Sequence, residues 1–256
     1  YSYRPKHPSI IRGGNAMGIF DSILNPSRKA ERNLDRAEEL LKVLLCPREA
    51  PKSRDAEKVL KEYPSRQAKI DRILELCGEP ETPRQRYIRA MAISFEKSDD
   101  RNRAISAFVK YLAGEPYEGA WLHARHTLGN RPFSPEEEKN IHLAEMYAHL
   151  GALYSARGDY KQAFACAQKE MELVPFYPGP YCRASDLCVK KNQLPEAMNI
   201  LVHAKKTDFY RPLKYRDGAG ETVTEDTFRR VIDRHIEELK KKIDRGYEYN
   251  PKKKKP

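Results

Sequence analysis

The chain has 256 residues, a formal net charge of +11, and 39% apolar against 33% charged residues. That length holds one sizeable core or two small ones. An apolar fraction below the usual ~45–50%, with high charge, fits an elongated helical protein with much surface per residue. No apolar run approaches the ~18 residues of a membrane span, and no apolar core follows the N-terminal basic residues, so neither a transmembrane helix nor a signal peptide is expected.

More than half of the positive excess sits in residues 1–16 and in Lys252, Lys253, Lys254 and Lys255. The body is then only mildly basic, which weakens any inference from charge to an anionic partner. Cys46, Cys77, Cys166, Cys182 and Cys188 form no short-spaced pair. Free thiols and a cytoplasmic location are the expectation.

In chain order, residues 1–16 read as an extraneous or disordered segment before Met17. Residues 17–81 read as N-terminal helices: a short amphipathic piece from Met17, then a helix opened by Asn25-Pro26 with Ala30, Leu34, Ala37, Leu41 and Leu44 at helical spacing. Helices over about 53–60 and 65–76 follow, the latter with Ile70, Ile73, Leu74 and Cys77 inward and stopped by Gly78 and Pro80. Residues 82–133 read as a degenerate helical hairpin plus an extra helix, from Tyr117 to Leu128. Thr82-Pro83-Arg84-Gln85 is a capping box. Ser134-Pro135-Glu136-Glu137 repeats that logic and opens a long helix to about Arg157. Residues 211–246 read as a loop and a capping helix with Phe228, Val231, Ile232, Ile236, Leu239 and Ile243 on one stripe; 247–256 is a basic flexible tail. No strand is expected, and the fold class is all-α.

Residues 134–210 carry an internal repeat of period 34. Ala144 aligns with Pro178, Tyr147 with Tyr181, Leu150 with Ala184, Gly151 with Ser185, Tyr154 with Cys188, Gly158 with Asn192, Tyr160 with Leu194, and Ala163 with Ala197. Tyr147, Leu150 and Tyr154 suit the interface of a helical hairpin. Gly151 and Ala163 suit a close crossing, Gly158 and Asn192 the turn, and Pro175 the end of the second helix. This pattern resembles the tetratricopeptide repeat family. The resemblance implies an α-solenoid of helical hairpins, with non-repeat N-terminal helices before it and a C-terminal helix capping it. The second repeat departs from the pattern at Ser185 and Cys188.

The resemblance further implies a scaffold that binds an unidentified protein or peptide on a concave face. On this chain that face falls on Glu145, Ala148, Ala152 and Ser155, then Cys182, Asp186 and Val189, extended by Ile88 and Phe95. Alanine, cysteine and aspartate at the places of a carboxylate clamp argue against that use of the fold. The C-terminal helix filling the face is the plainer alternative.

Other chemistry is sparse. His123 and His126, or His142 and His149, lack further ligands at metal spacing, so no metal or cofactor is expected. Glu136, Glu137 and Glu138 fit a helix first turn, and Gly13-Gly14 and Gly218–Gly220 lack phosphate-loop context. The chain is not expected to be an enzyme, though an unrecognised site is an alternative. Nucleic-acid binding is the other. It would use scattered sites such as Arg101, Arg103, Lys190 and Lys191, the tail, and Tyr210, Tyr215, Tyr247 and Tyr249.

Overall fold

The computed structural model describes residues 26–45, 62–63, 65–96, 101–120, 134–207, 215–216, 222–223 and 225–247. The expected pieces over 1–24, 53–60 and 121–128, the Asn25 cap and the basic tail lie outside these residues. The chain divides into two units, Tyr1–Glu79 and Pro80–Pro256.

In the first unit, α1 (Pro26–Leu45) packs on α2 (Arg66–Cys77). Leu34, Ala37, Leu40, Leu41 and Val43 face Ile70, Ile73, Leu76 and Cys77 as its buried residues. Expected Ala30 is exposed and Leu44 and Leu74 are half-buried. Ser65 caps α2 by accepting the Ala68 N–H, and Gly78 stops it at φ 63, a backbone angle that suits glycine.

The second unit is a run of helical hairpins: α3 (Pro83–Ser94) with α4 (Arg101–Leu112), α5 (Pro135–Arg157) with α6 (Tyr160–Leu173), and α7 (Pro178–Lys190) with α8 (Leu194–Lys206), followed by α9 (Glu225–Asp244). Packing is mostly between sequential neighbours, with α4 on α5, α6 on α7, and α9 on both α8 and α7. This is an all-α fold consistent with a helical-repeat arrangement. Where a helix was expected from Tyr117, Glu118–Ala120 is a 3₁₀ turn. Where no strand was expected, Tyr215–Arg216 (β1) pairs antiparallel with Thr222–Val223 (β2). Two residues are too short for alternation to show in sequence, although Tyr, Thr and Val favour strands.

Local signals set the helix ends. Thr82 with Gln85 and Ser134 with Glu137 form reciprocal capping boxes. Gly158 (φ 88) and Asn192 (φ 58) turn the two later hairpins in the left-handed region. The close crossing in α5–α6 is real. A Cβ on Gly151 would lie 3.1 Å from Cys166 Cβ, and Ala163 is buried beneath it.

Two different seams hold the α5–α8 hairpins. Upstream, α5 meets α4 through an aromatic and polar cluster. The Tyr117 N–H donates to Tyr111 Oη at 2.9 Å, and Tyr111 Oη lies 2.6 Å from His142 Nε2. Tyr87 packs against both rings, and His149 stacks on Phe108. Burial pushes His142 down to about 4 and Tyr111 up to about 12. Downstream, Ile232, Ile236 and Leu239 of α9 join Tyr181, Cys182, Cys188, Val189, Ala197, Leu201 and Ala204 in an aliphatic core. Ile243, expected on that stripe, is 41% exposed.

Candidate functional site

The hollow between α5 and α7 is a candidate site. It measures about 370 Å³. Ala148, Gly151, Ala152, Ser155 and Ala156 of α5 form one side, and Arg183, Asp186, Leu187 and Lys190 of α7 the other, with Ala163, Ala167 and Glu170 of α6 between them. Small side chains on α5 and α6 create the space.

Its polar rim is held in place. Glu170 is buried, its side chain 2% exposed, and pairs with the half-exposed Arg183; Arg183 Nε donates to Oε1 at 3.3 Å and Nη2 to Oε2. Burial raises the Glu170 carboxyl and the Arg183 charge opposes that rise. Lys190 Nζ donates to Ser155 Oγ at 3.0 Å across the hollow and lies 5.7 Å from the centre of the Tyr160 ring. Asp186 is exposed between the two cations. The hollow therefore offers a small apolar floor edged by two carboxylates, Glu170 and Asp186, and two cationic groups, Arg183 and Lys190.

Of the residues assigned to a binding face from sequence, the hollow brings together Ala148, Ala152, Ser155 and Asp186. Glu145 lies one turn earlier on α5 and does not line it. Its surface is exposed although protein crowds it, and this crowding pushes its carboxyl up to about 7, a rise that contact with water limits. Cys182 and Val189 are buried against α9, so they are not open to a ligand. The reason is geometric. An inner helix has one side toward the previous hairpin and another toward the next element. Ala148 and Ser155 lie on the forward side of α5; Cys182 and Val189, their repeat equivalents, lie on the forward side of α7, where α9 sits. The wall that α7 turns back toward α5 is Arg183, Asp186, Leu187 and Lys190. Ile88 is fully buried in α3 and Phe95 half-buried at its end; neither lines the hollow.

The residues assigned structural roles are placed as follows. Leu150, Ala163, Tyr181 and Ala197 are buried, and Tyr147, Gly151, Tyr154 and Tyr160 are half-buried. Pro175 follows the end of α6, and its carbonyl accepts the Tyr181 hydroxyl at 3.1 Å. α9 caps the last hairpin, and none of its described side chains lines the hollow.

Sequence reading missed Arg183 and Glu170. Glu170 had a signal: with Ala163 and Ala167 it completes an inward stripe, where a carboxylate needs a partner. Burial pushes the thiols of Cys166, Cys182 and Cys188 up to about 11, which makes them poor nucleophiles. Among the described residues no group of three or more His, Cys, Asp or Glu side chains could hold a metal, and no helix is long and apolar enough to cross a membrane. His123 and His126 lie outside those residues. No family model matches the chain, and no curated protein matches it in sequence.

Proposed function

We propose that this is a tetratricopeptide-type interaction scaffold that receives a peptide or helix of a partner protein in the hollow between α5 and α7. The observation that carries the reading is the hollow itself. It is floored by alanine and glycine and edged by Arg183, Asp186 and Lys190, whose cations are already oriented by Glu170 and Ser155. Preset polar groups around a small-residue floor lower the ordering cost of binding a chain. Side chains of modest size would seat on Ala148 and Ala152, with the partner's polar groups meeting the rim. The 34-residue correspondence of the two hairpins supports the same reading, as does the absence of described α9 side chains from the lining.

The test is selection of a random peptide library against the full chain, followed by titration of the selected peptides. Ala152→Arg places a long cation in the hollow from an exposed helix position and leaves the core untouched. Selected peptides should lose about tenfold or more in affinity, with circular dichroism and melting unchanged. Peptides that bind Ala152→Arg and Ala148→Arg as well as the parent would remove the hollow from consideration.

A further inference from the structure

The inward stripe of α9 runs Ile232, Ile236, Leu239 and then Ile243, each three or four residues after the last. The first three are buried against α7 and α8, whereas Ile243 is 41% exposed. The cause is length. α9 has 20 residues and α7 and α8 have 13 each, so part of the stripe outruns its cover.

The free end is held in a defined shape. Gly246 takes φ 59, its N–H donates to the Ile243 carbonyl, and the Tyr247 N–H donates to the Lys242 carbonyl, both at 3.0 Å. This pair of bonds is the glycine stop that closes many helices. It sets Tyr247, 38% exposed, just past the helix end, with Lys242 Nζ 5.7 Å from the centre of its ring. An aliphatic and an aromatic side chain are thus both open to solvent at one helix end.

Positive charge is concentrated at the same place. Lys240, Lys241 and Arg245 are exposed there. From Lys240 onward the sequence holds eight lysine or arginine residues against two acids, Asp244 and Glu248, with Glu237 and Glu238 one turn before. Lys252 is five residues from Tyr247, so chain length alone keeps it within about 18 Å. The total charge of the chain carries little; its placement beside Ile243 and Tyr247 carries more.

We propose that this end of α9, with the lysines that follow it, docks on an anionic lipid bilayer. Clustered lysines on a helix and its flank meet acidic headgroups, and their long stems lie along the apolar boundary. Ile243 enters the interface, and Tyr247 sits at headgroup level with its hydroxyl in water. Ile243 also favours a bilayer over a nucleic acid. Phosphates are met by cations and bases by aromatic rings, and an exposed aliphatic side chain has no counterpart on either. None of these residues lines the hollow between α5 and α7, and the proposal does not rest on the peptide reading.

The test sediments the full chain with vesicles of phosphatidylcholine alone, or with about 30% phosphatidylserine added, at about 0.1 M salt. Binding to the serine-lipid vesicles only is expected, and it should be lost at about 0.5 M salt. Lys240→Gln with Lys241→Gln, and separately Ile243→Ser with Tyr247→Ser, should each weaken vesicle binding about fivefold or more. All four positions are exposed, so circular dichroism should not change. Failure to sediment with the acidic vesicles, or either double variant binding them as well as the parent, would overturn the proposal. So would tighter binding to a short RNA that Ile243→Ser with Tyr247→Ser leaves unchanged, because the lysines would then serve a phosphate backbone.

Discussion

The seams on either side of the α5–α8 hairpins make a useful pair. Upstream, α4 and α5 are joined by Tyr111, His142, Tyr87 and a stacked His149–Phe108 pair; downstream, α9 is joined by Ile232, Ile236 and Leu239. Both bury their surfaces well. The upstream seam holds a buried Tyr–His pair and depends on one protonation state; the downstream seam is mainly apolar, with the exposed Lys205–Asp233 ion pair at its edge. Neighbouring hairpins of one fold can thus be fastened by chemistry with opposite sensitivities.

The largest expected effect tests the aliphatic seam. Ile232 is fully buried, so Ile232→Ala should cost about 2–4 kcal/mol in urea unfolding, nearly independent of pH. Acid should act on the other seam. His142 has a folded-state pKa of about 4, below its ordinary 6.5, so the unfolded chain takes up the proton first. The His142 contribution to stability is intact above pH 6.5, falls as pH drops through that window, and its loss levels off below about 4, at up to about 3 kcal/mol. His142→Gln should flatten that slope, whereas Ile232→Ala should lower the whole curve. A Gln variant with the parent's slope would assign the acid sensitivity elsewhere.

Smaller effects come from exchanging the residues in which the two hairpins differ. Gly151→Ser puts the second hairpin's residue into the first, where the new Cβ meets Cys166 at 3.1 Å; a loss of about 1–2 kcal/mol is expected from thermal melting. The reverse change, Ser185→Gly, should cost about 0.5–1 kcal/mol through helix propensity. Equal costs would mean that the two crossings are equally tight. Asn192→Gly, at φ 58, should have the smallest effect, a gain of about 0.5 kcal/mol or less.

What was legible in the sequence was mostly local. Caps at Thr82 and Ser134, stops at Gly78 and Gly158, and the inward stripes of α2 and α9 each follow from chemistry within a few residues. The period of 34 carried the hairpin order. The face of α7 could not be read the same way. Which of its sides is open depends on where α9 docks, a contact separated by tens of residues, so Cys182 and Val189 were assigned to a surface that α9 covers.

The position of α9 has a further consequence, for assembly. Stacked hairpins carry an adhesive face forward from each unit to the next, and a stack that ends on such a face can recruit another copy of itself. Here α9 lies against both helices of the last hairpin, where the first helix of a following hairpin would stack, with its apolar side inward and Lys240 and Lys241 outward. It converts that face from a template into a charged surface. Growth of the stack by head-to-tail addition at this end would first require α9 to be peeled away.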